Sequence, residues 1–360
     1  IKILYRKADI LILDEPTAVL TPQEVDELFE TLKAFSESGK TIILITHKLR
    51  EPMALCDRIS VLRDGKLVGT VDKAKTSPEA LAEMMVGRPV VFLVSKTKAT
   101  PGQTVLSIKD LQVQDDRRLL KVKGINLDMR ASEILGIAGV EGNGQQELVE
   151  ALWGLRKPVS GEIWIGDKQI TGFSSRKVHE ASVGYIPQDR QRRGLVLDFS
   201  IKENLILGGE YQPPFASGPG SLILNEKAIR EYSEQLVRNY GIKITDLDDL
   251  VNTLSGGNQQ KIVVARALGP NPKLLIASHP TRGLDVGATE YIHNLLVKMR
   301  DAGVSVLLVS ADLDEILNLS DRIAVIFDGK IVAIKSPDET NEKELGLLMA
   351  GHQPETGRRK

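Results

Sequence analysis

The chain has 360 residues, of which 42% are hydrophobic and 26% charged, a composition typical of a globular α/β protein. A formal net charge of −1 and 4% aromatic residues argue against nucleic-acid binding, which needs a basic surface and rings on which bases stack. The single cysteine, Cys56, excludes an intramolecular disulfide framework, and its place in an apolar helix beside Leu55 predicts core packing in a reducing compartment.

The first part of the chain, residues 1–94, alternates apolar runs with amphipathic segments. Residues 10–13 predict a buried parallel strand that delivers Asp14 and Glu15 to its carboxyl end, the edge at which ligands gather in open α/β sheets. A second buried strand ends at His47. The other predicted elements are a helix, a further helix, a hairpin turned at Asp64 and Gly65, and a last helix, over residues 22–35, 49–55, 58–71 and 77–86.

The second part begins after residues 95–104, whose Ser, Lys, Thr, Pro and Gly residues predict an inter-domain linker. Residues 105–352 then predict a complete domain, and residues 353–360 a polar tail. The domain is predicted to open with antiparallel strands, to continue through a mostly helical region, and to contain a strand that repeats the first one. These segments are residues 105–113, 124–129, 200–244 and 274–277.

An internal repeat relates the two parts of the chain. Residues 10–17 recur in altered form at 274–281, and subtracting 14 from 278 gives an offset of 264. The same offset joins residues 57–59 to 321–323, 64–66 to 328–330 and 85–87 to 349–351. An ungapped repeat of this length predicts two copies of one domain. Because glycine-rich segments of the second copy map before the first residue, we expect the chain to be the C-terminal part of a longer tandem protein.

A glycine-rich turn follows the predicted strand over residues 133–138. Its residues are Gly139, Gly142, Asn143 and Gly144, and the predicted helix 145–152 comes next. This strand-loop-helix order predicts a phosphate-binding loop, because glycines let backbone N–H groups face the phosphates at the positive end of a helix. A glycine-rich turn without a ligand fits the same residues.

The two residues after this turn depart from the usual pattern of a phosphate loop. Gln145 and Gln146 stand where a lysine and a serine or threonine are expected, and amides offer neither a positive charge nor a hydroxyl ligand for Mg²⁺. The pattern therefore predicts weak nucleotide binding or poor metal placement at this loop.

A more specific motif is the run LSGGNQQ at residues 254–260, which contains Ser255, Gly256 and Gly257. With the strand-loop-helix elements around it, this motif resembles the signature of the ATP-binding-cassette (ABC) ATPases, and the resemblance covers residues 1–352. It implies the P-loop NTPase fold, with one partial and one complete nucleotide-binding domain, each with an α/β core. The second domain would add antiparallel β and helical subdomains.

The resemblance also implies roles for individual residues. Asp14 would hold Mg²⁺ through water, Glu15 would act as general base, and His47 would contact the γ-phosphate. Gln188 corresponds to the Q-loop glutamine that links the site to the transport partner, and Asp285 to the acid of the D-loop.

In the second copy these catalytic residue types are replaced. Ser278 stands for the metal-site aspartate, His279 for the base and Ala311 for the switch histidine. A histidine has a suitable pKa for proton transfer, but the loss of every neighbouring catalytic group predicts a degenerate site.

The function implied by the resemblance is the ATP-binding, ATP-hydrolysing subunit of an ABC importer that uses ATP and Mg²⁺. Its partners would be transmembrane permease subunits and, indirectly, an extracytoplasmic solute-binding protein, at the cytoplasmic face of the plasma membrane. Apolar runs shorter than the roughly 20 residues of a bilayer span agree with a peripheral subunit. The runs LSGGNQQK and PTRGLDVGA resemble the simple-sugar and nucleoside group, and the loss of the second acidic pair favours the nucleoside branch.

Members of this family pair their nucleotide-binding domains head to tail, so that each ATP lies between one phosphate loop and the opposite signature. One site would combine Asp14, Glu15 and His47 with Ser255 and Asp285, and neither site would be complete in this chain. Other classes stay open: a soluble tandem ABC protein that acts on ribosomes, a DNA-repair ABC ATPase, or a regulatory nucleotide sensor. The short linker argues against the first, and the single cysteine and the absence of heptads against the second.

Overall fold

The computed structural model describes residues 8–17, 20, 22–63, 65–89, 94, 96–218 and 223–352. The predicted turn residue Asp64 and the predicted tail, residues 353–360, lie outside them. The chain divides into two compact units. One runs to Val94 and includes Leu284–Tyr291, and the other comprises Ser95–Gly283 and the residues from Ile292 onwards.

The first unit contains a parallel strand pair and an antiparallel hairpin. Its elements are β1 (Ile10–Asp14), α1 (Pro22–Glu37), β2 (Thr41–Ile45), α2 (Arg50–Leu55), β3 (Arg58–Arg63), β4 (Lys66–Asp72), a 3₁₀ turn (Lys73–Lys75) and α3 (Pro78–Val86). β1 runs parallel to β2, with Asp14 opposite Ile45, so both strands end at the same edge. The prediction that these strands are buried is wrong: their side chains alternate between two faces, and Ile10, Ile12, Ile43 and Ile45 are exposed. The Ser77 hydroxyl caps α3 at Ala80 N, and Gly87 ends the helix in the left-handed conformation.

Cys56 lies one residue beyond the end of α2, not inside a helix as predicted. It is half-buried and packs against the small cluster formed by Ile59, Val61 and Leu81. This burial raises the pKa of the Cys56 thiol, so the residue packs as a small apolar side chain.

The second unit opens with antiparallel strands and continues as alternating strands and helices. Its elements up to the signature are β5 (Thr104–Gln114), β6 (Leu120–Arg130), β7 (Ile134–Ala138), α4 (Gln145–Leu152), β8 (Ser160–Ile165), β9 (Lys168–Gln169), α5 (Ser175–Glu180), β10 (Val183–Ile186), a π-helical turn (Arg190–Gly194), α6 (Ile201–Ile206), β11 (Ala216–Ser217), β12 (Ile223–Leu224), α7 (Glu226–Asn239) and a 3₁₀ turn (Val251–Thr253). From the signature onwards they are α8 (Gly256–Leu268), β13 (Leu274–Ser278), α9 (Val286–Asp301), β14 (Ser305–Ser310), α10 (Leu313–Leu319), β15 (Arg322–Phe327), β16 (Lys330–Lys335), a 3₁₀ turn (Pro337–Glu339) and α11 (Glu342–Met349).

A six-stranded sheet forms the centre of this unit, in the order β10-β13-β14-β7-β15-β16. All its pairs are parallel except β15 with β16. Every residue of β7, β13 and β14 is buried, which explains their continuously apolar sequences. The antiparallel sheet β6-β5-β8-β9 shares one hydrophobic core with this sheet, so the predicted α/β core and antiparallel β segment are confirmed.

The repeat seen in the sequence recurs in the elements. β1 and β13 lie 264 positions apart, and α1 and α9 each have 16 residues at the same offset. Glu15 and His279, which follow β1 and β13, share a left-handed backbone with φ of 44° and 45°. Among the described residues, no helix is both long and apolar enough to cross a membrane.

Candidate nucleotide sites

The two predicted catalytic residues of the first unit lie within hydrogen-bonding distance of each other. His47 Nδ1 is 2.8 Å from Glu15 Oε1. Both side chains follow parallel strands that end at one edge, and Glu15 N donates to Ile45 O at 2.8 Å. The Glu15 side chain is 44% exposed, so its carboxylate is fixed on one side and accessible to water on the other.

Asp14 is exposed at the last position of β1, beside Glu15. Mg²⁺ is commonly bound by one or two carboxylates together with waters and substrate phosphates, so Asp14 fits such a site as a single protein ligand. Within the described residues, no group of three or more His, Cys, Asp or Glu side chains could hold a metal by itself.

A second, buried hydrogen bond joins the two segments that carry this pair. The Thr17 hydroxyl donates to Glu51 Oε1, and the two residues are only 2% and 3% exposed. The second unit repeats the bond at the same offset of 264, because the Thr281 hydroxyl donates to Glu315 Oε1 at 2.8 Å. There Glu315 also bonds His293 Nε2 at 2.9 Å.

The predicted phosphate loop has the backbone that such a loop requires. Gly142 and Gly144 have φ of 95° and 102°, and Gly144 is the residue before α4. A Cβ at Gly144 would overlap the Lys121 carbonyl, so only glycine allows this close approach. Asn143 anchors the loop, since its Oδ1 accepts from Asp328 N at 2.8 Å.

The two glutamines of this loop are engaged by the protein itself. Gln145 Nε2 donates to Val140 O at 2.9 Å, while its buried Oε1 has no partner. Gln146 Nε2 donates to Glu150 Oε1 at 2.9 Å. Neither side chain supplies the charge or hydroxyl that holds phosphate and Mg²⁺, so the residues of the second copy do not fit a Mg²⁺ site of the usual kind.

Glu150 is the buried centre of a polar cluster on α4. Its oxygens accept from Arg156 Nε and Arg193 Nη1, each at 2.8 Å. Burial raises the pKa of Glu150, but the hydrogen bonds from Gln146 and Arg156 and the two guanidinium charges outweigh it and leave the pKa below its ordinary value. The cluster therefore joins the helix after the phosphate loop to the turn Arg190–Gly194.

Next to the loop lies a cavity of about 570 Å³. It is lined by side chains of both charges and by the uncharged Gln146 and Ser278. Its lining residues are Glu141, Gln146, Val149, Glu150, Tyr185, Gln188, Asp189, Arg190, Gln191, Arg192, Arg193, Ser278 and Arg282. Gln188 is one of these residues, and its Nε2 is 3.4 Å from Glu141 Oε1.

The remaining predicted residues sit at helix starts. Ser255 caps α8 by accepting from Asn258 N, and Gly256 and Gly257 form the first positions of that helix. Asp285 Oδ1 accepts from Ala288 N at 2.8 Å, so it caps the start of α9. Burial lowers the pKa of His279, which keeps this imidazole neutral.

Three further residues make contacts to which the sequence motifs assigned no role. Gln260 Nε2 donates to Pro280 O at 2.6 Å, which ties the signature helix to the segment after β13. Arg190 Nη1 donates to Arg282 O at 2.9 Å. Glu51 carried a sequence signal, since Thr17 and Glu51 both recur at the offset of 264 while Asp14, Glu15 and His47 do not.

Comparison with known proteins identifies the family. Residues 122–282 match the ABC transporter family. The nucleoside import ATP-binding protein of Lactococcus lactis subsp. cremoris is 52% identical over 351 residues, which is 98% of this chain and 69% of the relative. The guanosine import ATP-binding protein of Bacillus subtilis is 51% identical over 359 residues, 99% of this chain and 70% of the relative. The chain belongs to the ATP-binding proteins of ABC importers.

Further similarities extend to a sugar importer and to solved folds. The ribose import ATP-binding protein of Halalkalibacterium halodurans is 40% identical over 344 residues, covering 96% of this ABC importer chain and 67% of the relative. A nucleotide-free ATP-binding cassette from an ABC transporter superposes with a TM-score of 0.57 at 22% identity, over 68% of this chain and 96% of that one. The ABC ATPase fold is thus confirmed, and the protein is a transport-coupled ATPase subunit.

Proposed function

We propose that the importer powered by this subunit takes up nucleosides. The observation that carries this proposal is the order of identity: the nucleoside and guanosine import proteins are 52% and 51% identical, and the ribose import protein is 40% identical. The solute pocket would belong to other subunits, so the site residues described above do not select the solute. A simple sugar is the alternative.

In this proposal the first unit carries the hydrolytic residues. Glu15 would polarise the attacking water, because its carboxylate is exposed and held by His47. His47 would contact the γ-phosphate, and Asp14 would hold Mg²⁺, which neutralises developing charge when bound. The hydrogen bond between His47 and Glu15 supports this assignment, because a general base must be oriented before it can accept a proton.

The second copy would bind nucleotide without hydrolysing it at a comparable rate. The left-handed glycines at 142 and 144 support phosphate binding by backbone N–H groups. The neutral amides at 145 and 146 and the serine at 278 supply neither a positive charge nor a carboxylate, which opposes catalysis. The partners of the subunit would be permease subunits and, indirectly, an extracytoplasmic binding protein. The subunit would lie on the cytoplasmic face of the membrane, with two tandem nucleotide-binding domains paired head to tail.

The experiment is uptake of labelled solutes into cells that express the importer from a deletion background. We expect nucleoside uptake that is lost with Glu15→Gln in the ATP-binding protein, and no gain of ribose or xylose uptake. Uptake of a sugar with no nucleoside uptake would overturn the nucleoside assignment. Nucleoside uptake that survives Glu15→Gln would instead overturn the catalytic assignment.

A further inference from the structure

We propose that Thr17 and Glu51 are positioning residues for hydrolysis, because their buried hydrogen bond fixes the turn that presents Glu15 to His47. This inference rests on the proposed roles of Glu15 and His47. It concerns a contact that no catalytic motif contains and that places neither side chain on the nucleotide.

Two hydrogen bonds join the segment after β1 to the segment after β2. Residues 15–17 follow β1, and residues 46–51 follow β2. The outer bond joins Glu15 to His47 at 2.8 Å, and the inner bond joins Thr17 to Glu51. The two bonds are two positions apart along the first segment and four positions apart along the second, so neither partner of the outer bond can shift far while the inner bond is intact.

The two bonds differ in their exposure to water. The side chains of the outer bond are 30% and 44% exposed, so water competes for both groups. The inner bond is almost completely buried, and its acceptor is a carboxylate, which makes its loss costly. We infer that the inner bond determines the conformation and that the outer bond forms because the turn is already in place.

The backbone at Glu15 explains why such support is needed. Its φ of 44° lies in the left-handed region, which a non-glycine residue occupies only when its surroundings enforce it. Two hydrogen bonds support this residue: Glu15 N donates to Ile45 O, and the inner bond lies two positions further along the chain. The general base is thereby held in a conformation that an unsupported turn would leave.

The second copy offers an internal control. It keeps the inner bond between Thr281 and Glu315 and the left-handed backbone at His279, but Ala311 stands in place of the switch histidine. A purely structural role predicts equal effects when either inner bond is removed. A positioning role predicts an effect on turnover only in the first copy.

The test measures ATP turnover by the transporter reconstituted with its permease in proteoliposomes. Thr17→Val removes the hydroxyl and keeps the shape, and we expect kcat to fall about tenfold with KM for ATP within about twofold, since the step affected is chemistry and not binding. Thr17→Ser restores the donor and should recover most of kcat. The matched control is Thr281→Val combined with His293→Phe, which removes two of the donors to Glu315, leaves the third, Ser310, in place and should leave kcat unchanged.

Three results would overturn the inference: a Thr17→Val protein with normal kcat, an effect confined to KM, or an equal loss of kcat in the control. If Thr17→Val does not fold, as judged by thermal melting, Glu51→Asp and its control Glu315→Asp replace the pair and carry the same expectation. Glu15→Gln is measured in parallel. Normal turnover in that variant would contradict the proposed function itself, whereas an inactive Glu15→Gln with a normal Thr17→Val would contradict only the positioning role.

Discussion

Gln146 donates a 2.9 Å hydrogen bond to Glu150, one turn further along α4. The residue at the expected position of a metal-ligating hydroxyl is therefore fastened to a carboxylate that is itself held by Arg156 and Arg193. The Gln146 amide is thus engaged by the protein itself, through a carboxylate that two arginines hold in place. Substitutions of Gln145 and Gln146 can therefore test what these two residues contribute.

Restoring the usual loop residues should restore Mg²⁺-dependent affinity. Gln145→Lys with Gln146→Ser supplies a charged donor and a hydroxyl, and one charge-assisted hydrogen bond of about 1.5–3 kcal/mol predicts roughly tenfold tighter ATP binding or more. Equilibrium binding of labelled ATP, with and without Mg²⁺, measures it in a Glu15→Gln background. Gln145→Met with Gln146→Ser is the uncharged control. Equal affinities in the two proteins would contradict the prediction.

Glu150→Ala should destabilise the protein because it leaves two arginines and Gln146 without their shared acceptor. We expect the free energy of unfolding to fall by about 2 kcal/mol, less than for a fully buried pair because Arg193 is half exposed. Urea denaturation measures the loss. Glu147→Ala, on the same helix, should cost less than about 1 kcal/mol. Similar losses of unfolding free energy in the two variants would contradict a stabilising role of the Glu150 cluster.

The same carboxylate predicts a pH dependence. The pKa of Glu150 in the folded protein lies below its ordinary value of 4.5, so its contribution to stability is complete above that pH and is lost as the pH falls through the folded pKa. The difference in unfolding free energy between wild type and Glu150→Gln should therefore be constant near neutral pH and shrink below about pH 4.5. A difference that grows on acidification would contradict the assigned direction of the pKa.

Glycine is required at positions 142 and 144 for different reasons. Both have positive φ, but a Cβ at Gly144 would overlap the Lys121 carbonyl, whereas nothing lies within 4 Å of one at Gly142. Gly142→Ala should cost about 1 kcal/mol from backbone strain, and Gly144→Ala about 2–3 kcal/mol or more because the backbone must also move. Thermal melts of the two variants decide this. Equal shifts in melting temperature would refute it.

The sequence predicts the parts of the fold that depend on local pattern. Strands β13 and β14 could be predicted because buried strands have apolar sequences. The strand-loop-helix around Gly144 could be predicted because its backbone conformation requires glycine. The contact of Arg190 with Arg282 O is not readable, since it joins residues 92 positions apart and leaves no periodicity. The conformation of Gln145 was equally inaccessible: a long amide has several rotamers, and only the folded loop selects the one that reaches Val140 O.

The repeat was the exception, because it turned two long-range contacts into a sequence signal. Thr17 and Glu51 recur as Thr281 and Glu315, and the bond between each pair is present in the structure. The shared pair indicates that both copies keep the same turn, on which only the first copy carries Glu15 with a histidine partner. The repeat marks Thr17 and Glu51 as a pair, but only the fold shows that their side chains are hydrogen-bonded.

The central claim is that hydrolysis depends on Glu15 and not on the histidine at the corresponding position of the second copy. ATP turnover of the reconstituted transporter, compared among wild type, Glu15→Gln and His279→Ala, tests it most directly. We predict that Glu15→Gln lowers kcat at least about a hundredfold, the contribution of a general base, and that His279→Ala keeps kcat within about twofold. Turnover near the wild-type rate in the Glu15→Gln protein would contradict the account.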